Sequence, residues 1–457
     1  MSSRHLMSGA VVVAVSVVAL AGCSSSDSGD SGGSSGSPSE SVSIESTPAP
    51  SGLGLAQKLN CPGGVEKATP GPVSTAPLKV GTLLPATGSL AYLGPPEFAG
   101  VKLAVTDINA NGGVLGQPVQ EITGDSGDTT TDTASATVDR ELGAGAQVIV
   151  GAASSSVSLK VLDKIATAGA VMFSPANTSD EFTCYKDKGQ YFRTAPADIL
   201  QGQALAQTMA EDGVQRVSLL ALNDPYGTGL AEQAQKNLEA AGIPADQIQK
   251  IIYDPNAQSF NAEVDQVKNF NPDGVAVIGF DESAKIITRM HEVGIGPTDG
   301  KSVYGVDGNM GNALGEAVGG GLLKGMKGTT PLTNTGAEFQ ARLKEADPKL
   351  IDYNYAGESY DATVITALAA AQAKSTNGRS IASQINSVTS GGEKCTAYKQ
   401  CLDLVGQGKD IDYDGVTGTL DFNEAGEPSI GSYGILEFDG SNKLLEPTRK
   451  YVSVAGK

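Results

Sequence analysis

Tryptophan is absent from this chain, histidine occurs twice, and 32 Lys and Arg face 51 Asp and Glu. Each scarcity excludes something. A formal charge of −19 argues against a nucleic-acid partner, because phosphate binding needs gathered cations; acidity instead favours solubility. Beyond the first 22 residues His291 is the single histidine, so a Ser-His-Asp triad or a histidine-rich metal site has little to build on. CxxC and HExxH motifs are missing too. We expect no cofactor, no metal and no catalytic residue.

The N-terminus carries an address. Residues 1–22 hold a single Arg4 and an apolar core from Ala10 to Leu20, followed by Leu20-Ala21-Gly22-Cys23. This resembles a bacterial lipoprotein signal, which implies cleavage before Cys23 and a lipid on its sulfur. The apolar core is too short for a typical spanning helix, so the lipid is the expected membrane attachment. Residues 23–51 are mostly Ser, Gly, Pro, Glu and Thr and read as a flexible tether reaching roughly 30 Å; residues 52–76 form an N-terminal arm. Within the tether, Gly29-Asp30-Ser31-Gly32-Gly33 resembles the nucleophile signature of trypsin-like proteases, but Ser and Gly are what this segment is made of. The remaining cysteines, Cys61, Cys184, Cys395 and Cys401, are even in number outside the cytoplasm and suggest two disulfides. Three pairings are open, among them a local Cys395–Cys401 loop with Cys61 tied to Cys184.

The other roughly 400 residues exceed one typical core. Their organising stretch runs from Gln147 to Phe182. A β-branched run, Gln147 to Gly151, leads into Ser154, Ser155 and Ser156, and Val157, Val161, Leu162 and Ile165 then recur at helical spacing. Strand, serine loop and helix follow one another, and the free N–H groups and dipole of a helix start can hold a carboxylate without a lysine. A second strand, Ala170 to Phe173, ends in Ser174-Pro175-Ala176-Asn177-Thr178-Ser179, which puts two hydroxyl-rich loops at neighbouring strand ends, where parallel sheets bind ligands. Before them come a strand at Leu78–Leu84, a helix at Glu97–Asn109, a strand at Val119–Thr123 and a helix at Thr131–Leu142. After them the pattern repeats: strand Arg216–Leu222, helix Gly229–Ala241, strand Gly274–Gly279, helix Glu282–Val293. Such alternation predicts doubly wound parallel sheets.

The segments GTLLPATGSLAYLGPPEFAGVKLAVTDINANGGVLG, VIVGAASSSVSLKV, MFSPANTSDEF, LLALNDPYGTGLAEQAQKNLEAAG, VAVIGFDESAKIITRMHEVG, VYGVDGNMGNAL, GESYDATVITALAAA and YDGVTGTLDFNEAGEP are similar, in order and spacing, to the branched-chain amino-acid binding proteins of bacterial ABC importers, which have the type I periplasmic-binding-protein fold. The resemblance covers residues 77 to 452. It implies two α/β lobes joined by three crossings, residues 77–197 with 332–420 in lobe 1 and 198–331 with 421–457 in lobe 2. It implies that Ser154 or Ser155, the Ala176 carbonyl and Thr178 grip an α-carboxylate, and that Asp307 takes the ammonium. A carboxylate and an ammonium on one carbon need donors and an acceptor on opposite walls. Tyr226 and Phe280 match cleft aromatics. Tyr92 and Leu93 stand where the family often has tryptophan, so the side chain recognised need not be leucine's.

Competing motifs fail. Asp410-x-Asp412-x-Asp414-Gly415 with Asp421 has EF-hand spacing, but Val416–Phe422 reads as a strand where the exiting helix belongs. Asp107-x-Asn109-x-Asn111-Gly112 has Pro118 in the position of the bidentate acid, and Gly300-Lys301-Ser302 lacks the first glycine of a P-loop. The reading is therefore a monomeric, lipid-tethered solute-binding protein of the cell envelope that closes on an amino acid or similar polar solute and delivers it to an ABC permease. Its rivals are an amide, urea or aromatic-acid binder of the same fold and a sensor reporting to a membrane receptor.

Overall fold

The computed structural model describes residues 61–331 and 336–445, and the backbone of two further strands at 47–48 and 449–454. The signal, Cys23 and most of the tether lie outside the described residues. Two sheets organise the chain. The first is parallel, in the order β2 (Gln120–Ile122), β1 (Lys79–Leu83), β3 (Val148–Gly151), β4 (Val171–Ser174), β5 (Tyr191–Arg193). Its central strands β3 and β4 are buried at every position, which is why they read as unbroken apolar runs instead of alternating ones. Gly169, left-handed at φ 76°, ends the helix between them, α3 (Ser155–Ala168).

The second sheet is mixed. Parallel strands β6 (Val217–Leu222), β7 (Ile248–Tyr253), β8 (Gly274–Ile278), β9 (Ser302–Gly305) and β10 (Lys327–Pro331) meet the antiparallel β13 (Ile430–Glu437) and β14 (Arg449–Val454) at one side; β11 (Glu393–Cys395) and β12 (Ile411–Tyr413) form a separate pair. The two doubly wound lobes implied by the resemblance are present. The chain passes from the first sheet to the second after Arg193, leaves it after Pro331 and returns at Ile430. Both disulfides fall within the first lobe and its arm, Cys61–Cys184 and Cys395–Cys401, the local-loop pairing among the three.

Two local expectations need correction. The helix after β6, α5 (Pro225–Ala240), starts four residues before Gly229 because Asp224 caps it, accepting from Gly227 N–H at 2.7 Å, and Pro225 occupies its first turn. Tyr226 therefore sits on a helix. Val416–Phe422 does not form a strand. The buried Asp361 carboxylate gathers Val416 N–H, Thr417 N–H, the Thr417 hydroxyl and the Tyr413 hydroxyl at 2.6–3.0 Å, and the backbone turns around it. The EF-hand spacing beside it is occupied by a lysine: Lys394 Nζ lies 3.0 Å from Asp412 and 2.9 Å from Asp414, so a dication would have to displace a fixed ammonium.

In lobe 1 the long helices α1 (Gly94–Ala110) and α10 (Ala356–Ala373) pack against each other. A Cβ on Gly100 would lie 2.2 Å from the Ala356 carbonyl, so glycine is what allows the approach. Glu97 and Glu358 are both buried at this contact, and neither Glu97 oxygen has a hydrogen-bond partner. Burial, then the nearby Glu358 charge, pushes Glu97 well above the carboxylate range; burial, then Asp361, pushes Glu358 from 4.5 to about 8. The folded state thus holds a proton that the unfolded state releases. Stability falls as pH rises from about 4.5 to about 8, by on the order of 3 kcal/mol at pH 7. Urea unfolding across this range should show that decline, and Glu358→Gln should reduce it, leaving the part due to Glu97 and to Glu141, which burial likewise raises to about 8.

Candidate functional site

The site is built where strands from both lobes end. After β3, Ser154 caps α3, its Oγ accepting from Val157 N–H at 3.4 Å, and Ser154 and Ser155 at that helix start line the cleft. The second loop is sewn to the first: Asn177 Nδ2 donates to the carbonyls of Ala152 and Ala153 at 3.0 and 2.8 Å, and Ser174 Oγ donates to Ala152 at 2.7 Å. Ser155, buried, accepts from Ser179 N–H at 3.4 Å. These bonds fix Ser154, Ser155, Ala176 and Thr178 on one wall.

The facing wall comes from lobe 2. Tyr226 and Phe280 stack with centroids 5.5 Å apart and planes 8° from parallel. Asp307, just past β9, is 4 % exposed and takes hydrogen bonds from Tyr226 Oη at 2.7 Å, Gln201 Nε2 at 2.9 Å and Tyr355 Oη at 2.6 Å. None of these donors is a cation. Burial raises the Asp307 pKa and the three hydrogen bonds hold it down. Burial first, and Asp307 next, push Tyr226 and Tyr355 well up, so both remain neutral donors. Glycine must follow Asp307: a Cβ on Gly308 would stand 2.8 Å from the Gly279 carbonyl and 3.0 Å from Phe280.

A cavity of only about 20 Å³, about the room one water takes, separates these walls. It is lined by eight of the nine expected ligand residues, Leu93, Ser154, Ser155, Ala176, Thr178, Tyr226, Phe280 and Asp307. The ninth, Tyr92, is not in the lining but donates its hydroxyl to the Asp307 carbonyl at 3.2 Å. A larger groove of about 400 Å³, lined by Val65, Lys67, Phe422 and Asn423 among others, is a surface feature beside the arm. The lobes also touch directly, through Ser156 Oγ to Asp224 at 2.8 Å and Ser179 Oγ to the Pro225 carbonyl at 3.2 Å. The apolar core of lobe 2 continues across the cleft into Leu90, Leu93, Ala153, Ala176 and Tyr355.

Five residues of this site were not singled out from sequence: Leu90, Ala153, Gly308, Tyr355 and Gln201. Tyr355 is the most informative. It precedes α10 with φ +61°, a region that bulky residues avoid, and its hydroxyl crosses from lobe 1 to the Asp307 carboxylate. Backbone conformation of this kind is held by its surroundings and clusters at functional sites.

The model of one protein family, described as periplasmic binding protein, matches residues 77–396. The chain belongs to that family. This periplasmic binding protein is 27 % identical over 371 residues to the chemotactic signal transduction system substrate-binding protein BasB of Halobacterium salinarum, covering 78 % of this chain and 86 % of BasB. It is 27 % identical to the Leu/Ile/Val-binding protein BraC3 of Rhizobium johnstonii, over 50 % of this chain and 61 % of BraC3. Among solved structures, a leucine-binding protein from Thermotoga maritima superposes with a TM-score of 0.67 at 20 % identity, covering 82 % of this chain and 99 % of that one. A benzoate-bound solute-binding protein from R. palustris superposes with 0.64 at 17 %, covering 84 % and 100 %. Likeness at such identities establishes the type I fold of the periplasmic binding protein.

Proposed function

We propose that this periplasmic binding protein is the solute-binding component of an ABC importer and that its ligand is an amino acid, held by its α-carboxylate on the Ser154–Ser155 and Ala176–Thr178 loops and by its ammonium on Asp307. One observation carries this: Asp307 is a buried carboxylate whose described bonds all come from neutral donors, set across a small cavity from a capped helix start. The three side-chain donors, and the Gly308 N–H beside them, are all neutral, so the carboxylate lacks a countercharge, and a buried negative charge favours a positive partner. The opposite wall offers hydroxyls and helix N–H groups, which suit an anion. No bond is made or broken; closure is driven by contacts the ligand makes better with both lobes together.

Cys23, outside the described residues, is proposed as the lipid anchor, holding a monomer at the outer face of the membrane through the tether. Among the described residues no helix is long and apolar enough to cross a membrane. Co-purification with a permease supports import. The relation to BasB, a chemotaxis protein, favours a second reading, in which the closed form reports to a signalling receptor; recovery of a receptor in place of a permease would establish it.

The experiment is a thermal-shift screen of the refolded chain against amino acids, amides, urea and aromatic acids. A ligand at 100 times its dissociation constant adds about 2.7 kcal/mol to stability. A shift with amino acids supports the assignment, and a shift with benzoate alone removes the ammonium role from Asp307. Thr178→Val should weaken a carboxylate ligand by about 1–3 kcal/mol because a donor in a buried site is lost; isothermal titration reads this, and unchanged affinity removes Thr178 from the site.

A further inference from the structure

Behind the ligand loops lies a polar group that the site has not used. Asp198 opens helix α4 (Asp198–Glu211), is fully buried, and has no hydrogen-bond partner of normal geometry on either carboxyl oxygen. It is tied to the ligand loop by its own backbone, its N–H donating to the Thr178 carbonyl at 2.7 Å, and its carboxyl lies beside the Thr178 hydroxyl. We propose that Asp198 is a positioning residue: held as the neutral acid, it donates to Thr178 Oγ and so turns the Thr178 O–H toward the ligand's carboxylate.

The argument is one of hydrogen-bond polarity, and it rests on the reading of Thr178 as a ligand donor. A threonine hydroxyl has one hydrogen to give. If Asp198 is ionised it can only accept, Thr178 gives its hydrogen to Asp198, and the ligand's carboxylate meets an oxygen lone pair. If Asp198 is protonated, the acid gives its hydrogen to Thr178 and the hydroxyl is released to the ligand. The proton count is the same before and after binding.

The surroundings favour the neutral acid. The charged groups facing Asp198 are Asp180 in the short turn after the second ligand loop, Asp307 past β9 and Arg193 on β5. Arg193 is already engaged by Glu427, which its Nε meets at 2.9 Å, and by the Ser179 carbonyl at 2.8 Å. From the other packed elements, Tyr226 on α5 and Tyr433 on β13 lie close enough to feel its charge, and the Tyr433 hydroxyl is itself buried without a partner. Burial, then Asp180 and Asp307, push the Asp198 carboxyl well above the usual range, against Thr178 and Arg193.

Two measurements test this on the full chain. Carboxyl carbon NMR at pH 7 should show a protonated aspartic acid in the wild type that is missing in Asp198→Asn; if the two spectra share the same protonated resonances, or the wild type has none, the proposal fails. Titration with L-leucine and benzoate as carboxylate probes should show Asp198→Ala weakened roughly tenfold, and Asp198→Asn, whose amide can still donate to Thr178, recovering most of that loss. A merely structural role would give no such order between the two. If Thr178→Val weakens binding and Asp198→Ala does not, Asp198 is excluded while the ligand site stands. If Thr178→Val has no effect, the role of Thr178 falls and the Asp198 proposal with it.

Discussion

Asp307→Asn should cost an α-amino acid about 2–5 kcal/mol of binding free energy, most of it through faster dissociation, while a ligand without an amine loses little or gains. The substitution is close to isosteric. Its amide oxygen can still accept from Tyr226 and Gln201, and its amide nitrogen can donate to the Tyr355 oxygen, so the wall keeps its shape. What disappears is the charge. For an ammonium ligand, Asp307 is the one carboxylate among the described lining residues of the cavity, and an amide can offer only a neutral acceptor in its place. For benzoate the same change removes a buried negative charge facing a carboxylate ligand, and affinity should hold or rise. Paired titrations with leucine and benzoate read the difference directly. Equal losses for both would mean that Asp307 shapes the wall and does not recognise an amine.

Arg193→Met should destabilise the fold by about 3–5 kcal/mol, more than Arg193→Met combined with Glu427→Leu. Arg193 is fully buried and Glu427 is 4 % exposed. The guanidinium contacts Glu427 through both Nε and Nη2, donates to the Asn177 and Ser179 carbonyls at 3.3 and 2.8 Å, and reaches the Thr183 hydroxyl at 3.1 Å. Removing the cation alone leaves Glu427 ionised in a place without water, and strands two carbonyls of the ligand loop. Removing both charges leaves an apolar contact, which is commonly neutral or better. Urea denaturation of the wild type and both variants gives the order. A single variant no worse than the double would show that Glu427 finds water when its partner is gone.

The parts of this molecule written locally were legible in its sequence. The run from Gln147 to Ile165 carries its own strand, cap and helical period, and Ser154 caps the helix there. The hydroxyl-rich loops could be placed because strand ends in parallel sheets converge, whereas Asp307 was expected only from the family resemblance. What could not be read depends on pairings far apart in the chain. Tyr355 reaches a carboxylate 48 residues away from a left-handed backbone position, and tyrosine carries no sequence mark of that conformation. Gln201 meets Asp307 106 residues on, and within its helix it looks like any polar residue. Val416–Phe422 has strand-like residues, but Asp361, 55 residues earlier, binds its backbone into a turn. The start of α5 at Pro225 was locally encoded; the glycines at 227 and 229 obscured it, since Asp224-Pro225 is itself a cap and first turn.

The Arg193–Glu427 pair also says something about motion. Arg193 ends the last strand before the first passage between lobes, and Glu427 immediately precedes the last passage, into β13. Two of the strands of chain that join the lobes are therefore pinned to one another at a buried point. The two crossings thus leave lobe 1 from one shared, buried anchor, so a change in lobe angle has to be taken up by the chain beyond it, between Thr194 and Asp198 and between Pro428 and Ile430. The Ser156–Asp224 bond, at the opposite side of the cleft from that anchor, is a contact between the lobes that parting them would break.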